Sequence, residues 1–354
     1  MKILALPGDD IGPEIMAATL SMLEAADARF GLGLEIEQEL VGRAAHEAHG
    51  STVPDHVLAK AMQADGVILG PAGMTAYPEA EKGWLNVPGT IRKRLDLYAN
   101  IRPARSRPGV PDARPGLDCL IVRENTEGFY ADRNMFMGSG EFMPTEDVAL
   151  SVRKITRPAC RRIAHAAFRA AMTRHKNVTV VGKRHVLQVT DGLFVGEAEA
   201  VAKEYPEVTW TEMDIDAIAA DLYSRPEKFD VILITNMFGD ILSNAAVAMS
   251  GSLGLAAALN AGDGRAAANA GHGSAPDLAG KGVANPSGLM LSVTQLIEWL
   301  GTARGSNAIV QAAAAMRDAI DASLADPACR TRDVGGEAGT ADFARAVVRK
   351  ISGN

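Results

Sequence analysis

Short apolar runs and longer amphipathic stretches alternate along almost the whole chain. "KILALP" (2–7), "DGVILG" (65–70), "LDCLIVRE" (117–124), "NVTVVGK" (177–183) and "FDVILIT" (229–235) have the length and β-branched content of buried strands. Between them, "EIMAATLSMLEAADARFG" (14–31), "SVRKITRPACRRIAHAAFRAAMTRH" (151–175) and "TDGLFVGEAEAVAKEYP" (190–206) carry apolar residues at helical spacing. This alternation predicts an α/β architecture built on a largely parallel sheet. A Pro-, Arg- and Gly-rich connector, 100–118, interrupts it and is placed to carry the chain between domains. The segment 251–290, rich in Gly, Ala and Asn, reads as a long loop region without a strand pattern, followed by a helix over 287–301.

Composition narrows the classes. A chain of 354 residues holds about two domains with sizeable cores. A net charge of −7 argues against nucleic acid or an acidic membrane surface as partner. Cys119, Cys160 and Cys329 are odd in number and widely spaced, which excludes a disulfide framework or a cysteine-rich metal site and suits a reducing compartment. The first apolar run is too short for a signal peptide or a spanning helix, so the expected location is the cytoplasm.

Candidate chemistry gathers in a few strings. Arg92, Arg102 and Arg123 stand at the ends of predicted elements, where forked cationic donors suit carboxylates; singly, each also fits a surface role. Lys183 closes a predicted strand at its carboxyl end, the side on which parallel sheets bind ligands, and Tyr130 follows the strand that carries Arg123. Lysine and tyrosine there suit a base and a proton donor, or a surface lysine and a packed tyrosine. Asp216 and Asp240 are the acids that suit Mg²⁺ or Mn²⁺; Asp240 also fits a helix cap before Ile241. In "TNMFGDILSNAA" (235–246), Asn244 stands one helical turn beyond Asp240 as a neutral second oxygen donor. No zinc or calcium motif, Walker loop or strand-linked GxGxxG is present. "GHGSAPDLAG" (271–280) instead offers small residues, His272 and Asp277; an acid there takes ribose hydroxyls and repels a 2′-phosphate, favouring NAD over NADP.

Seven collinear strings together carry a family resemblance: "LPGDDIGPEI", "IRKRLDLYANIRP", "VRENTEGFY", "VTDGLF", "TNMFGDILS", "HGSAPDLAGKGVANP" and "TRDVGGEAGT". In that order they resemble the decarboxylating dehydrogenases that include isocitrate, 3-isopropylmalate, homoisocitrate and tartrate/D-malate dehydrogenases. The resemblance implies an isopropylmalate-dehydrogenase-like two-domain α/β fold with a mixed ten-stranded sheet, not a Rossmann fold. It implies a discontinuous, nucleotide-binding first domain from 1–100 plus 250–354, and a second domain, 101–249, for dimerisation and the metal and substrate site. It further implies a homodimer with shared active sites. Arg92, Arg102 and Arg123 would bind substrate carboxylates; Tyr130 would be the general acid; Lys183 and Asp216 would come from the partner chain. Asp216, Asp240 and Asn244 would face Mg²⁺ or Mn²⁺, with Asn244 where most relatives carry a second aspartate. Ile11, His272, Gly273, Ala275, Asp277, Leu278 and Asn285 would contact NAD.

The chain departs from the family where substrates are told apart. "GWLNVPGT" before Arg92 has Asn86 and Pro88 in place of a Ser-x-Asn pair, and Pro88-Gly89 in place of a leucine pair. Asn269 stands where an acid is usual, and Arg184-His185 follow Lys183 where Ala-Asn is usual, adding two potential cations that favour a compact anionic substrate. The expected activity is NAD-dependent oxidative decarboxylation of a 3-substituted D-malate of isopropylmalate, isocitrate or homoisocitrate type. Tartrate or D-malate oxidation is the alternative, as is a catalytically silent regulatory subunit of the same fold.

Overall fold

The computed structural model describes residues 1–78, 82–130 and 135–353. Ten strands form the frame: β1 (Lys2–Leu6), β2 (Glu35–Gln38), β3 (Gly66–Leu69), β4 (Ala99–Arg105), β5 (Asp118–Glu124), β8 (Asn177–Gly182), β9 (Thr209–Asp214), β10 (Val231–Ile234), β11 (Ala257–Ala261) and β12 (Ala266–Ala270). A separate antiparallel hairpin, β6 (Glu141–Thr145) and β7 (Val148–Ser151), stands apart from them. The helices are α1 (Gly12–Phe30), α2 (Arg43–His49), α3 (Asp55–Gln63), α4 (Val87–Arg94), α5 (Arg157–Met172), α6 (Thr190–Ala202), α7 (Ile215–Ser224), α8 (Asn236–Ala248), α9 (Ser287–Ala303), α10 (Asn307–Ala325) and α11 (Thr340–Ser352). The expected mixed α/β architecture with ten main strands is therefore present.

The chain divides into two compact units, Met1–Leu97 with Arg107–Ala113 and Ser250–Asn354, and Tyr98–Ser106 with Arg114–Met249. In the first, β1 pairs in parallel with β2 and β3, β12 runs parallel to β3, and β11 closes against β12 antiparallel. In the second, β5, β10, β8 and β9 are parallel and β4 runs antiparallel to β5. The aliphatic run Val231–Ile234 is wholly buried, as strands covered on both faces require.

Phe168 of α5 shows what holds the second unit. It is fully buried among Val122, Val178, Val180 and Leu233, and its ring stacks on Tyr205 at 5.6 Å. Phe168→Ala is expected to cost about 3–5 kcal/mol, read as a lowered urea midpoint at unchanged slope.

Three sequence readings are corrected. The segment 251–290 contains β11 and β12, although "AALNA" and "AAANA" have none of the β-branched residues that mark strands. Their small side chains let α9 pack close: a Cβ on Gly288 would meet the Ala256 carbonyl oxygen at 2.7 Å. The connector 100–118 opens in β4, which ends at Arg105, and it does carry the chain between units, but as an excursion of Arg107–Ala113 out of the second unit and back. The helix expected over 151–175 starts at Arg157, because Arg157-Pro158 opens its first turn.

Candidate active site

The second unit gathers Arg102, Arg123, Tyr130 and Asp240. β4 and β5 present the two arginines and α8 presents Asp240. Asp240 Oδ1 accepts from Arg123 Nη1, and from Arg102 Nη1 at 3.3 Å, while Oδ2 accepts from the Tyr130 hydroxyl at 2.6 Å. Arg123 Nη2 also donates to the Tyr130 oxygen at 3.0 Å. The arginine side chains are only 9% and 2% exposed, whereas Asp240 is 35% exposed. Burial, with Arg123 beside it, pulls the Arg102 guanidinium down to about 10; burial pushes the Tyr130 phenol up, so it holds its proton.

Residues not singled out from the sequence complete this cluster. Asn236 Oδ1 accepts from Arg123 Nε and Nη2 at 3.0 and 2.7 Å, and its Nδ2 donates to the Glu127 carbonyl at 2.8 Å. Ser243 Oγ and Asn100 Oδ1 accept from Arg102 at 2.8 and 2.7 Å. Asn236, Asp240 and Ser243 lie at i, i+4 and i+7 on α8, a one-face spacing visible in "NMFGDILS". Gly239 lets that face approach: a Cβ there would sit 2.8 Å from Arg123 Cγ and from Ile234 Cγ2.

The helix-cap reading of Asp240 is overturned. α8 begins at Asn236 with Thr235 at its N-cap, so Asp240 lies inside the helix and its carboxylate faces the arginines and Tyr130 instead of the helix end. Asn244 is exposed one turn on, and its Nδ2 donates to the Asp240 carbonyl at 2.9 Å, leaving the amide oxygen as its donor atom toward a cation. Lys183 forms a second cluster just past β8. Its ammonium bonds Asp216 in the first turn of α7, and Asp214 at 3.2 Å. The Asp216 hydrogen bond, with Asp214 adding, holds Lys183 above its ordinary range and Asp216 below its own. Arg184 bonds Glu212, and His185 Nδ1 lies 3.2 Å from the same Asp214 oxygen that Lys183 uses, so of the two residues expected to add charge beside Lys183 only Arg184 has an acid to itself.

Arg92 and the dinucleotide candidates lie in the first unit. Arg92 is half-buried on α4. Asn86, in the substrate-selecting segment, caps that helix, its Oδ1 accepting from Gly89 N at 2.7 Å. The Ile11 N–H donates to the Ser274 carbonyl at 3.2 Å, tying the loop before α1 to the run 271–278. In that run His272 Nδ1 lies 2.9 Å from the Gly273 carbonyl oxygen, Nε2 is buried without a partner, and burial lowers the ring's affinity for a proton. Ala275 adopts φ +45°, a left-handed conformation costly for a residue with a Cβ. Gly273, Asp277 and Leu278 are exposed there. Asn285 is bound at both ends, by Asp333 Oδ2 and by the Ser287 N–H, each at 2.9 Å.

A hard divalent cation takes carboxylate and amide oxygens, and those of Asp240, Asp216 and Asn244 fit it in chemistry. Among the described residues, no group of three or more His, Cys, Asp or Glu side chains is placed to hold a metal ion.

Known proteins resemble the chain along nearly its whole length. An isocitrate/homoisocitrate dehydrogenase from Thermus thermophilus is 39% identical over 99% of this chain and 98% of its own. A 3-isopropylmalate dehydrogenase from Methanothermobacter thermautotrophicus is 38% identical over 99% and 98%. The crystal structure of isocitrate dehydrogenase from Methylococcus capsulatus superposes with a TM-score of 0.87 at 35% identity, covering 99% of both chains. The family model described as isocitrate/isopropylmalate dehydrogenase matches residues 2–347, and the chain belongs to that family of oxidoreductases.

Proposed function

We propose that the protein catalyses NAD-dependent oxidative decarboxylation of a 3-substituted D-malate to a 2-oxo acid and CO₂, with Mg²⁺ or Mn²⁺. The observation that carries this reading is the Asp240 carboxylate held between two buried arginines and a protonated tyrosine. The relatives' names, isocitrate/homoisocitrate and 3-isopropylmalate dehydrogenase, support the substrate class.

Asp240 and Asp216 would hold the cation, with the Asn244 amide oxygen as an uncharged donor. When bound, the cation would supply Lewis-acid polarisation of the substrate's hydroxyl oxygen, and the nicotinamide would supply the hydride acceptor. Arg102 and Arg123, joined by Arg92, orient the substrate carboxylates through forked donors. Lys183 would take the proton from the 2-hydroxyl once Asp216 turns to the cation, since the Asp216 hydrogen bond is what holds its ammonium above the ordinary range. Tyr130, whose phenol keeps its proton, delivers one to C3 after CO₂ departs. Ile11, His272, Gly273, Ala275, Asp277, Leu278 and Asn285 would form the dinucleotide side of the first unit, with Asp277 disfavouring a 2′-phosphate.

A homodimer in which Lys183 and Asp216 serve the partner's site fits the apolar surface of the second unit. Phe142, Met143, Val148 and Leu150 are exposed on the β6–β7 hairpin, and Tyr223 and Ile241 beside a cavity of about 440 Å³ between α7 and α8. No helix among the described residues is long and apolar enough to cross a membrane, in keeping with the proposed cytoplasmic location.

The test is a panel of 3-isopropylmalate, isocitrate, homoisocitrate, D-malate and tartrate with NAD and Mn²⁺, followed by NADH absorbance. Turnover of none of them refutes the reading, and a clear preference for NADP refutes the role of Asp277. Because Asn244 offers an uncharged donor, Asn244→Asp is expected to tighten Mn²⁺ activation roughly tenfold. An unchanged or weaker metal constant would place Asn244 outside the coordination sphere.

A further inference from the structure

Arg153 follows the β6–β7 hairpin, and its side chain is only 7% exposed. Nη1 donates to Asp191 Oδ1 at 2.6 Å and to Thr190 Oγ1 at 3.0 Å, and Nη2 donates to Thr235 Oγ1 at 3.2 Å. The guanidinium carbon lies 5.7 Å from the Phe129 ring centre and 5.4 Å from that of Phe238. These partners come from three pieces of chain. Phe129 immediately precedes Tyr130. Thr235 caps α8, which carries Phe238 and Asp240. Thr190 and Asp191 open α6.

Asp191 is completely buried. Its second oxygen accepts from the Lys183 backbone N–H at 2.7 Å. The Lys183 carbonyl in turn accepts from Val186 and Leu187 N–H at 2.9 and 2.8 Å, closing the turn from which the lysine side chain leaves. Desolvating an ion pair adds little net stability compared with apolar packing. What this pair adds is direction: one carboxylate oxygen is aimed at the guanidinium and the other at the backbone of a proton-transfer residue.

We propose that Arg153 and Asp191 are positioning residues for the acid–base chemistry. On the reading that Lys183 and Tyr130 move the protons, Asp191 sets the Lys183 turn, and Arg153 anchors that turn to the Tyr130 loop and the Asp240 helix of the same chain, which in the shared-site dimer serve the opposite site. Neither touches the reacting atoms. A displacement of about 1 Å at a reacting group costs on the order of 10²-fold in rate, so the pair acts on turnover rather than on binding.

Asp191→Asn keeps an acceptor for the Lys183 N–H and removes the charge that holds Arg153. It is expected to lower kcat roughly 10–100-fold with KM for the hydroxy acid within about twofold. Arg153→Lys, which keeps the charge, should retain more turnover than Arg153→Met, with thermal melts confirming that each variant is folded. An unchanged kcat in folded Asp191→Asn overturns the proposal, as does an equal loss in kcat and gain in KM.

Mixed dimers give a readout that general destabilisation would not move. Pairing a Tyr130→Phe chain with a Lys183→Met chain leaves one complete site, with Lys183 from the first and Tyr130 from the second. Adding Asp191→Asn to the Tyr130→Phe chain should depress that site by the factor seen in the homodimer. Adding it to the Lys183→Met chain, whose own lysine is already lost, should cost less than that, and equal losses from both placements overturn the proposal. If the mixed dimer regains no activity before Asp191 is changed, the shared-site reading alone fails, and the single variants decide the role of Asp191.

Discussion

Lys183→Met is expected to lower kcat on the order of 10²–10⁴-fold while the hydroxy acid and NAD still bind. The ammonium bonds Asp216 and Asp214 and is 23% exposed, so its loss leaves two acids that water can solvate and the fold should survive. A melting temperature within a few degrees of the parent, together with hydroxy-acid binding unchanged by calorimetry, separates lost proton transfer from lost structure. If turnover falls only a few-fold, another group takes the hydroxyl proton.

Asp240→Asn is expected to act on two quantities together. Mn²⁺ binding, followed by calorimetry, should fall by at least about tenfold as the carboxylate charge is removed. Stability should also fall, because Arg102 and Arg123 are buried cations that share this carboxylate. Unpairing fully buried ions costs about 3–5 kcal/mol. With Asp240 about one-third exposed, water screens part of that, so a loss of about 1–2 kcal/mol is expected in chemical denaturation. Lost metal binding with unchanged stability would mean that Asn236, Ser243 and Asn100 alone hold the guanidiniums.

How much was legible in the sequence differed by element. β1, β3, β5, β8 and β10 were readable because strands buried on both faces must be continuous aliphatic runs. β11 and β12 were not, since their identity lies in packing. Ser292 on α9 accepts from the Ala258 N–H at 3.0 Å and donates to the Asn269 carbonyl at 2.9 Å, and only small side chains leave room for that. At the site, residue type marked Arg102, Arg123 and Asp240, although Arg102 lies in the middle of β4 and Asp240 inside α8. Asn86, read only as a departure from the family's substrate-reading pair, caps α4. Arg153 and Asp191 went unremarked because their meaning depends on three segments that are distant in sequence.

The stitching of the first unit bears on how the protein is made. Glu14, in the first turn of α1, accepts from the Gly282 and Ala284 N–H groups at 3.2 and 3.1 Å and bonds the Thr340 hydroxyl. Helix α1 therefore awaits partners that leave the ribosome more than two hundred residues later. At roughly 5–20 residues per second that delay is on the order of tens of seconds. Through it α1 lacks α9, α10 and α11, the helices it packs against, while most of the second unit is already available to fold. A newly made chain is thus most vulnerable to aggregation at its beginning, and its need for chaperones should fall sharply once α11 emerges.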